Sequence, residues 1–128
     1  MKKKGILHPE LAHLATSLGH TDYLVIADKG YPIPNHVTRI NLGYTNNQPT
    51  VLQVLEPLVE EISIDRIIVT QEMEDISPDR LEELKNRYPH FLFEKVSHHE
   101  MKELTNHAKG AVKTGDACPY ANLIIVSG

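Results

Sequence analysis

The apolar runs in this chain are short, and most are set apart by stretches of helical spacing. The run Tyr23-Leu24-Val25-Ile26-Ala27 ends abruptly at Asp28, and Leu123-Ile124-Ile125-Val126 is the other long one. Such runs are too short for the ~20 apolar residues of a membrane helix. They suit strands buried on both faces of a sheet. Arg66 to Thr70, Phe91 to Val96, Thr38 to Leu42 and Ala111 to Thr114 also read as strands.

The intervening stretches read as helices. Leu11, Leu14, Ala15 and Leu18 recur at helical spacing, with Pro9 at the first helical position and Gly19 past the end. Thr50-Val51-Leu52-Gln53 has the form of a capping box, followed by an apolar stripe of Val51, Leu55, Leu58 and Ile62. Pro57 interrupts that stripe. An interior proline costs about 3 kcal/mol, so a kink or break is expected there. Ser77-Pro78 opens a helix with Leu81 and Leu84 on one face, ending near Pro89. Ser97-His98-His99-Glu100 has the form of a second capping box, opening a helix through Met101, Leu104 and Ala108. Lys29 to Asn35 holds Gly30, Pro32 and Pro34 and reads as a constrained loop.

Strands alternating with helices predict an α/β fold: helix layers around a central sheet of about six strands, mostly parallel or mixed. A length of 128 residues fits a single domain over 1–128. Chains of this size bury about two-thirds of their unfolded surface, enough for a core without disulfides or metal. In such folds ligands bind beyond the carboxyl ends of parallel strands, where Asp28 stands.

Composition narrows the function. A net charge of −4 argues against a nucleic-acid partner, which would select a basic face. The basic start, Met1 to Lys4, resembles a signal peptide. His8, Pro9 and Glu10 interrupt the apolar region such a peptide requires, so no export is expected. The single cysteine, Cys118, cannot form an intrachain disulfide, and a reduced, cytoplasmic protein is the expectation. No Walker loop, Gly-x-Gly-x-x-Gly, Gly-x-Ser-x-Gly or His-Glu-x-x-His motif occurs. Eight histidines in so small a chain point to proton transfer or metal binding, since imidazole titrates near neutrality. His98 and His99 are adjacent and would diverge on a helix, so no metal site is expected.

The candidate site residues are polar groups at element ends. Asp28 closes an apolar strand, where a carboxylate needs a cap, an ion pair or a ligand. His20 lies between a helix stop and a strand. His98 sits in the first turn of its helix, where the macrodipole favours neutral imidazole. Lys102 lies one turn further on the same face. Tyr120 and Asn122 flank Ala121 at the entry to the last strand, where both side chains could bond a sugar hydroxyl. Each of these also has an ordinary structural reading as a turn, cap or surface residue. The residues alone leave the chain a small α/β protein with a candidate acid–base site.

Several stretches together carry more. These are Leu18-Gly19-His20-Thr21-Asp22, Ala27-Asp28-Lys29-Gly30-Tyr31-Pro32-Ile33-Pro34, Ser97-His98-His99-Glu100 and Lys113 to Asn122. In order and spacing the chain resembles the D-ribose pyranase family, the ribose mutarotases of ribose uptake, along nearly its whole length. The resemblance implies an isomerase that interconverts the pyranose and furanose forms of D-ribose by acid–base ring opening and reclosure, with no cofactor and no metal. It implies His20 as the catalytic proton donor and Asp28, His98, Lys102, Tyr120, Ala121 and Asn122 as sugar-binding positions. It also implies a homo-oligomer, a decamer of two stacked pentameric rings with sites at subunit interfaces. Relatives commonly carry other residues at Lys29, Tyr31, Lys113 and Asp116. The alternatives are an L-fucose-type mutarotase, a non-enzymatic sugar-binding accessory protein of ribose uptake, and a metal hydrolase built on the histidines. The L-fucose branch usually reads Tyr-Gly-Asn where this chain has Tyr120-Ala121-Asn122, and the Pro32-Ile33-Pro34 loop also favours the ribose branch.

Overall fold

The computed structural model describes residues 1–128. Six strands form one mixed sheet: β1 (Tyr23–Ala27), β2 (Arg39–Asn41), β3 (Ile64–Thr70), β4 (Phe93–Val96), β5 (Gly110–Lys113) and β6 (Leu123–Ser127). Five helices accompany them: α1 (Pro9–Ser17), α2 (Val51–Glu61), α3 (Gln71–Ile76), α4 (Pro78–Arg87) and α5 (His98–Thr105). The strand order is β2-β5-β1-β6-β3-β4. All neighbouring pairs are parallel except those made by β6, which runs antiparallel to both β1 and β3. The expected layered α/β fold with a mixed six-stranded sheet is the observed one.

Both faces of the sheet are covered, which explains why its central strands are continuously apolar rather than alternating. Leu24, Ile26, Ile67, Val69, Leu123 and Ile125 face a cluster of 20 buried residues that includes Leu14 of α1, Leu55 and Leu58 of α2, and Leu84 of α4. The alternate residues Val25, Ala27, Ile68, Ile124 and Val126 face a second cluster of 10, closed by Met101 of α5 and by Tyr31, Ile33 and Val37 of the loop after β1. Burying each such Leu, Ile or Val stabilises the fold by about 1.5–3 kcal/mol. No helix is long and apolar enough to cross a membrane.

Local expectations hold with four corrections. First, α2 runs unbroken through Pro57, so the expected break is absent. Val54, Leu55 and Leu58 anchor the helix on either side of the proline, and its capping box is complete. Tertiary burial outweighs one lost backbone bond there. Second, the Ser97 box is only half formed: the Ser97 side chain accepts the Glu100 N–H, but the Glu100 side chain makes no return bond to the Ser97 N–H. The next N–H, that of His98, bonds Glu72. Third, α5 ends at Thr105, short of Ala108, and the Thr105 hydroxyl bonds back to the Met101 carbonyl. Fourth, α3 has no counterpart in the sequence reading. It is a single short turn of helix capped by Thr70 directly at the end of β3.

Candidate active site

Three parallel strands, β2, β5 and β1, end on one edge of the sheet, and so do β3 and β4. Because β6 is antiparallel, its first residues arrive at that same edge. Asp28 after β1, His98 after β4 and Asn122 before β6 therefore converge from three distant parts of the chain. Together with Gly30, Tyr31, Pro32, Pro119 and Tyr120 they line a pocket of about 260 Å³.

The pocket floor is tied together by backbone bonds. Asp28 donates its N–H to Asn122 Oδ1 at 2.7 Å, and Asp28 Oδ1 accepts the Gly30 N–H at 3.0 Å. Asn122 is 2% exposed, so its side chain is committed to this geometry. Burial raises the Asp28 carboxyl above its ordinary pKa against the pull of the Gly30 and Tyr31 N–H groups, and the nearby Asp116 charge adds to the rise. Asp28 thus stays hydrogen-bonded and poorly solvated, a carboxyl that can both accept from a hydroxyl and take part in proton transfer.

His98 stands between two tyrosines. Its ring meets Tyr120 edge-on at 5.1 Å and Tyr31 at 5.7 Å between centroids. The Tyr31 hydroxyl turns away to Thr105 Oγ1 at 2.7 Å, so Tyr31 presents its ring to the pocket. His98 Nδ1 is buried without a hydrogen-bond partner. Buried polar atoms normally have one, so this nitrogen has capacity for a ligand hydroxyl. Burial, and then the Lys102 ammonium, push the His98 pKa below its ordinary value. Burial and the Lys102 charge thus act in the direction expected at a helix start, both disfavouring the imidazolium.

Tyr120 has φ of 56°. A bulky residue in the left-handed region is strained by about 1–2 kcal/mol and persists only where its surroundings hold it. Here Ser77 Oγ donates to the Pro119 carbonyl at 2.6 Å, and Asn122 is anchored to Asp28. Further upstream, Gly115 passes so close to Thr45 that a Cβ would lie 2.1 Å from its carbonyl oxygen.

Not every expected residue meets this pocket. Lys102 is exposed one turn beyond His98 and acts on it through charge. Ala121 is 1% exposed and packs into the larger core, so its side chain supports rather than lines the pocket. His20 is exposed on the turn before β1, where the Thr21 N–H bonds Ser127 at the far end of β6. The length of β1, about 16 Å for five residues, separates it from Asp28. Within one chain His20 and the pocket occupy opposite edges of the sheet. Sequence reasoning missed Glu72, which holds the His98 N–H at 3.0 Å, because the short helix carrying it lacks a periodic pattern. The Thr70 cap and the acidic residues Glu72 and Glu74 in the first turn are the signal that marks it.

Residues 1–128 match the RbsD / FucU transport protein family from end to end. The chain belongs to this family. It is 44% identical over 128 residues to the D-ribose pyranase of Geobacillus thermodenitrificans, covering 100% of this chain and 97% of that one. It is 41% identical to the D-ribose pyranase of Bacillus cytotoxicus over 100% of this chain and 98% of that one. Among RbsD / FucU structures, Bacillus subtilis RbsD complexed with D-ribose superposes with a TM-score of 0.95, at 38% identity, covering 100% of this chain and 98% of that one. The fucose mutarotase of Streptococcus pneumoniae shares the fold at a TM-score of 0.71 and 20% identity, over 95% of this chain and 93% of that one.

Proposed function

We propose that this family member is an isomerase acting on D-ribose, interconverting its pyranose and furanose forms. The observation that carries the reading is the full-length 44% identity to a D-ribose pyranase. The pocket supports it: a small cavity that brings together a hydrogen-bonded carboxyl, an imidazole whose Nδ1 has no protein partner and two tyrosine rings suits a monosaccharide. The L-fucose reading rests on the shared fold alone.

The chemistry needs only proton transfers. Ring opening removes a proton from the anomeric hydroxyl and delivers one to the ring oxygen. Reclosure through a different hydroxyl reverses these roles, so each group serves as acid in one direction and base in the other. Asp28 and His98 bind sugar hydroxyls, with Tyr120 and Asn122 shaping the pocket around them. His20 delivers the proton to the ring oxygen. Since His20 lies at the opposite sheet edge from Asp28, a second copy of the chain supplies it. The reading therefore includes a homo-oligomer, which the family resemblance makes a decamer of two pentameric rings, and in it residues 1–128 act as one sugar-mutarotase unit. A cytoplasmic location accords with the lone Cys118, which suits a reducing compartment.

The decisive experiment is NMR saturation transfer between the pyranose and furanose anomeric signals of D-ribose. Faster exchange in the presence of the protein is the expected result. Binding without faster exchange would leave a sugar-binding accessory protein, and no effect on D-ribose would turn attention to L-fucose.

A further inference from the structure

We propose that the buried Arg80–Asp116 pair is a positioning device for the sugar site, holding at once the segment that presents Tyr120 and Asn122 and the turn that presents Asp28. The inference rests on the ribose reading above for its effect on affinity. Neither residue lines the pocket.

Asp116 is fully buried, and the Arg80 side chain is 16% exposed. Asp116 Oδ2 accepts from Arg80 Nη1 and from the Val51 N–H at 2.9 Å. Its Oδ1 accepts from the Cys118 N–H at 3.0 Å and from Arg80 Nη2 at 3.3 Å. Its backbone carbonyl accepts the Lys29 N–H at 3.0 Å, and its own N–H donates to Thr114 Oγ1 at 3.1 Å. One residue thus touches the chain next to Asp28 with its main chain and the chain next to Pro119 with its side chain.

Arg80 reaches the pair from α4, one turn after Ser77, whose hydroxyl holds the Pro119 carbonyl. The α3–α4 corner therefore grips the irregular segment 115–122 at two points. A buried ion pair contributes little net stability, because desolvation offsets most of the attraction. What the two-pronged guanidinium–carboxylate contact supplies is direction. Direction is what a segment containing a left-handed tyrosine and no regular secondary structure requires.

The test compares the wild type with Arg80→Lys, Arg80→Met and the double variant Arg80→Met/Asp116→Asn. The double variant leaves no buried charge unpaired, and its single side-chain oxygen keeps one of the two bonds from the Val51 and Cys118 N–H groups. Arg80→Lys keeps the Asp116 carboxylate and both of those bonds, so it supplies the readout if the Met variants do not fold. The expected result is a rise in the Kd and KM for D-ribose of about tenfold or more, as for loss of a charged hydrogen bond, with exchange at saturating ribose changed less than about threefold. Arg80→Lys recovers part of the affinity. A ligand-independent readout accompanies this: backbone amide shifts of the free double variant move at residues 28–31 and at Tyr120, Ala121 and Asn122. Arg66→Met, which breaks exposed ion pairs to Asp65 and Glu94, leaves ribose affinity unchanged. A folded double variant with wild-type affinity and unmoved amides overturns the inference. If the wild type itself ignores D-ribose, the ribose reading falls, and the amide shifts still decide the positioning role.

Discussion

Asn122 Oδ1 accepts the backbone N–H of Asp28, 94 positions away in sequence, at 2.7 Å. That bond joins the end of β1 to the start of β6 and fixes the two polar groups of the pocket floor relative to each other. Removing the Asn122 side chain strands a part-buried N–H, at a cost of about 1–3 kcal/mol. Asn122→Ala should therefore lower stability by that order in urea unfolding and raise the Kd for D-ribose. A fall in turnover with unchanged affinity would instead assign Asn122 to the transition state.

His20 is exposed on its turn, so truncating it should leave the fold within about 0.5 kcal/mol of wild type. His20→Ala should nevertheless reduce ring exchange by about 10²–10⁴, the usual share of a positioned acid–base group. Saturation transfer measures the first effect and thermal unfolding the second. Full activity in this variant removes His20 from the mechanism.

If one copy supplies His20 and another supplies Asp28, two inactive variants can repair each other. Mixed assemblies of His20→Ala and Asp28→Ala chains, refolded together, should regain part of the exchange activity that neither shows alone. Light scattering should find the wild type larger than one chain. A monomer, or mixtures as inactive as their parents, would end the shared-site reading.

The His98 pKa lies below its ordinary 6.5, so the folded protein resists protonating it. The associated stability is present above 6.5 and is lost as pH falls through the depressed folded value. His98→Gln should flatten that part of the stability–pH curve, measured as Tm against pH. For Asp28 the sign is opposite. Its folded pKa lies above 3.8, so the stability it contributes is full below 3.8 and is lost as pH rises through the folded value. Asp28→Asn should therefore raise Tm at neutral pH while weakening ribose binding.

Pro57 supplies a test of packing against propensity. Pro57→Ala restores a backbone donor inside α2 and should stabilise the protein by about 1–3 kcal/mol. Some of that gain is offset because proline also restricts the unfolded chain. Loss of stability on substitution would mean that the half-buried ring packs better than it breaks.

Much of the sheet is legible in the sequence because strands buried on both faces leave uninterrupted apolar runs; β1 has the boundaries its sequence predicts, Tyr23 to Ala27. The strand order is not legible, since no local signal says that β6 inserts between β1 and β3. Helix α3 is hidden by its length, and the Pro57 break by the anchoring that surrounds it. At the site, Asp28 and Asn122 announce themselves as polar groups at strand ends. Arg80 and Asp116 do not: their meaning lies in a contact between residues 36 apart, and each alone reads as an ordinary surface charge. The resemblance supplies His20, which nothing local marks, and the structure places it at the opposite sheet edge from Asp28 of the same chain.

The sheet has a further consequence for how the chain acquires its shape. The parts β2-β5-β1 and β3-β4 touch through β6, and β6 is the last strand to leave the ribosome. Until residues 123–127 emerge, two half-sheets have exposed inner edges and nothing to join them. Nascent chains of this protein should thus remain open, chaperone-accessible and prone to edge pairing until β6 has been made. Closure then demands contacts far apart in sequence, which slows folding relative to a helical chain of equal length.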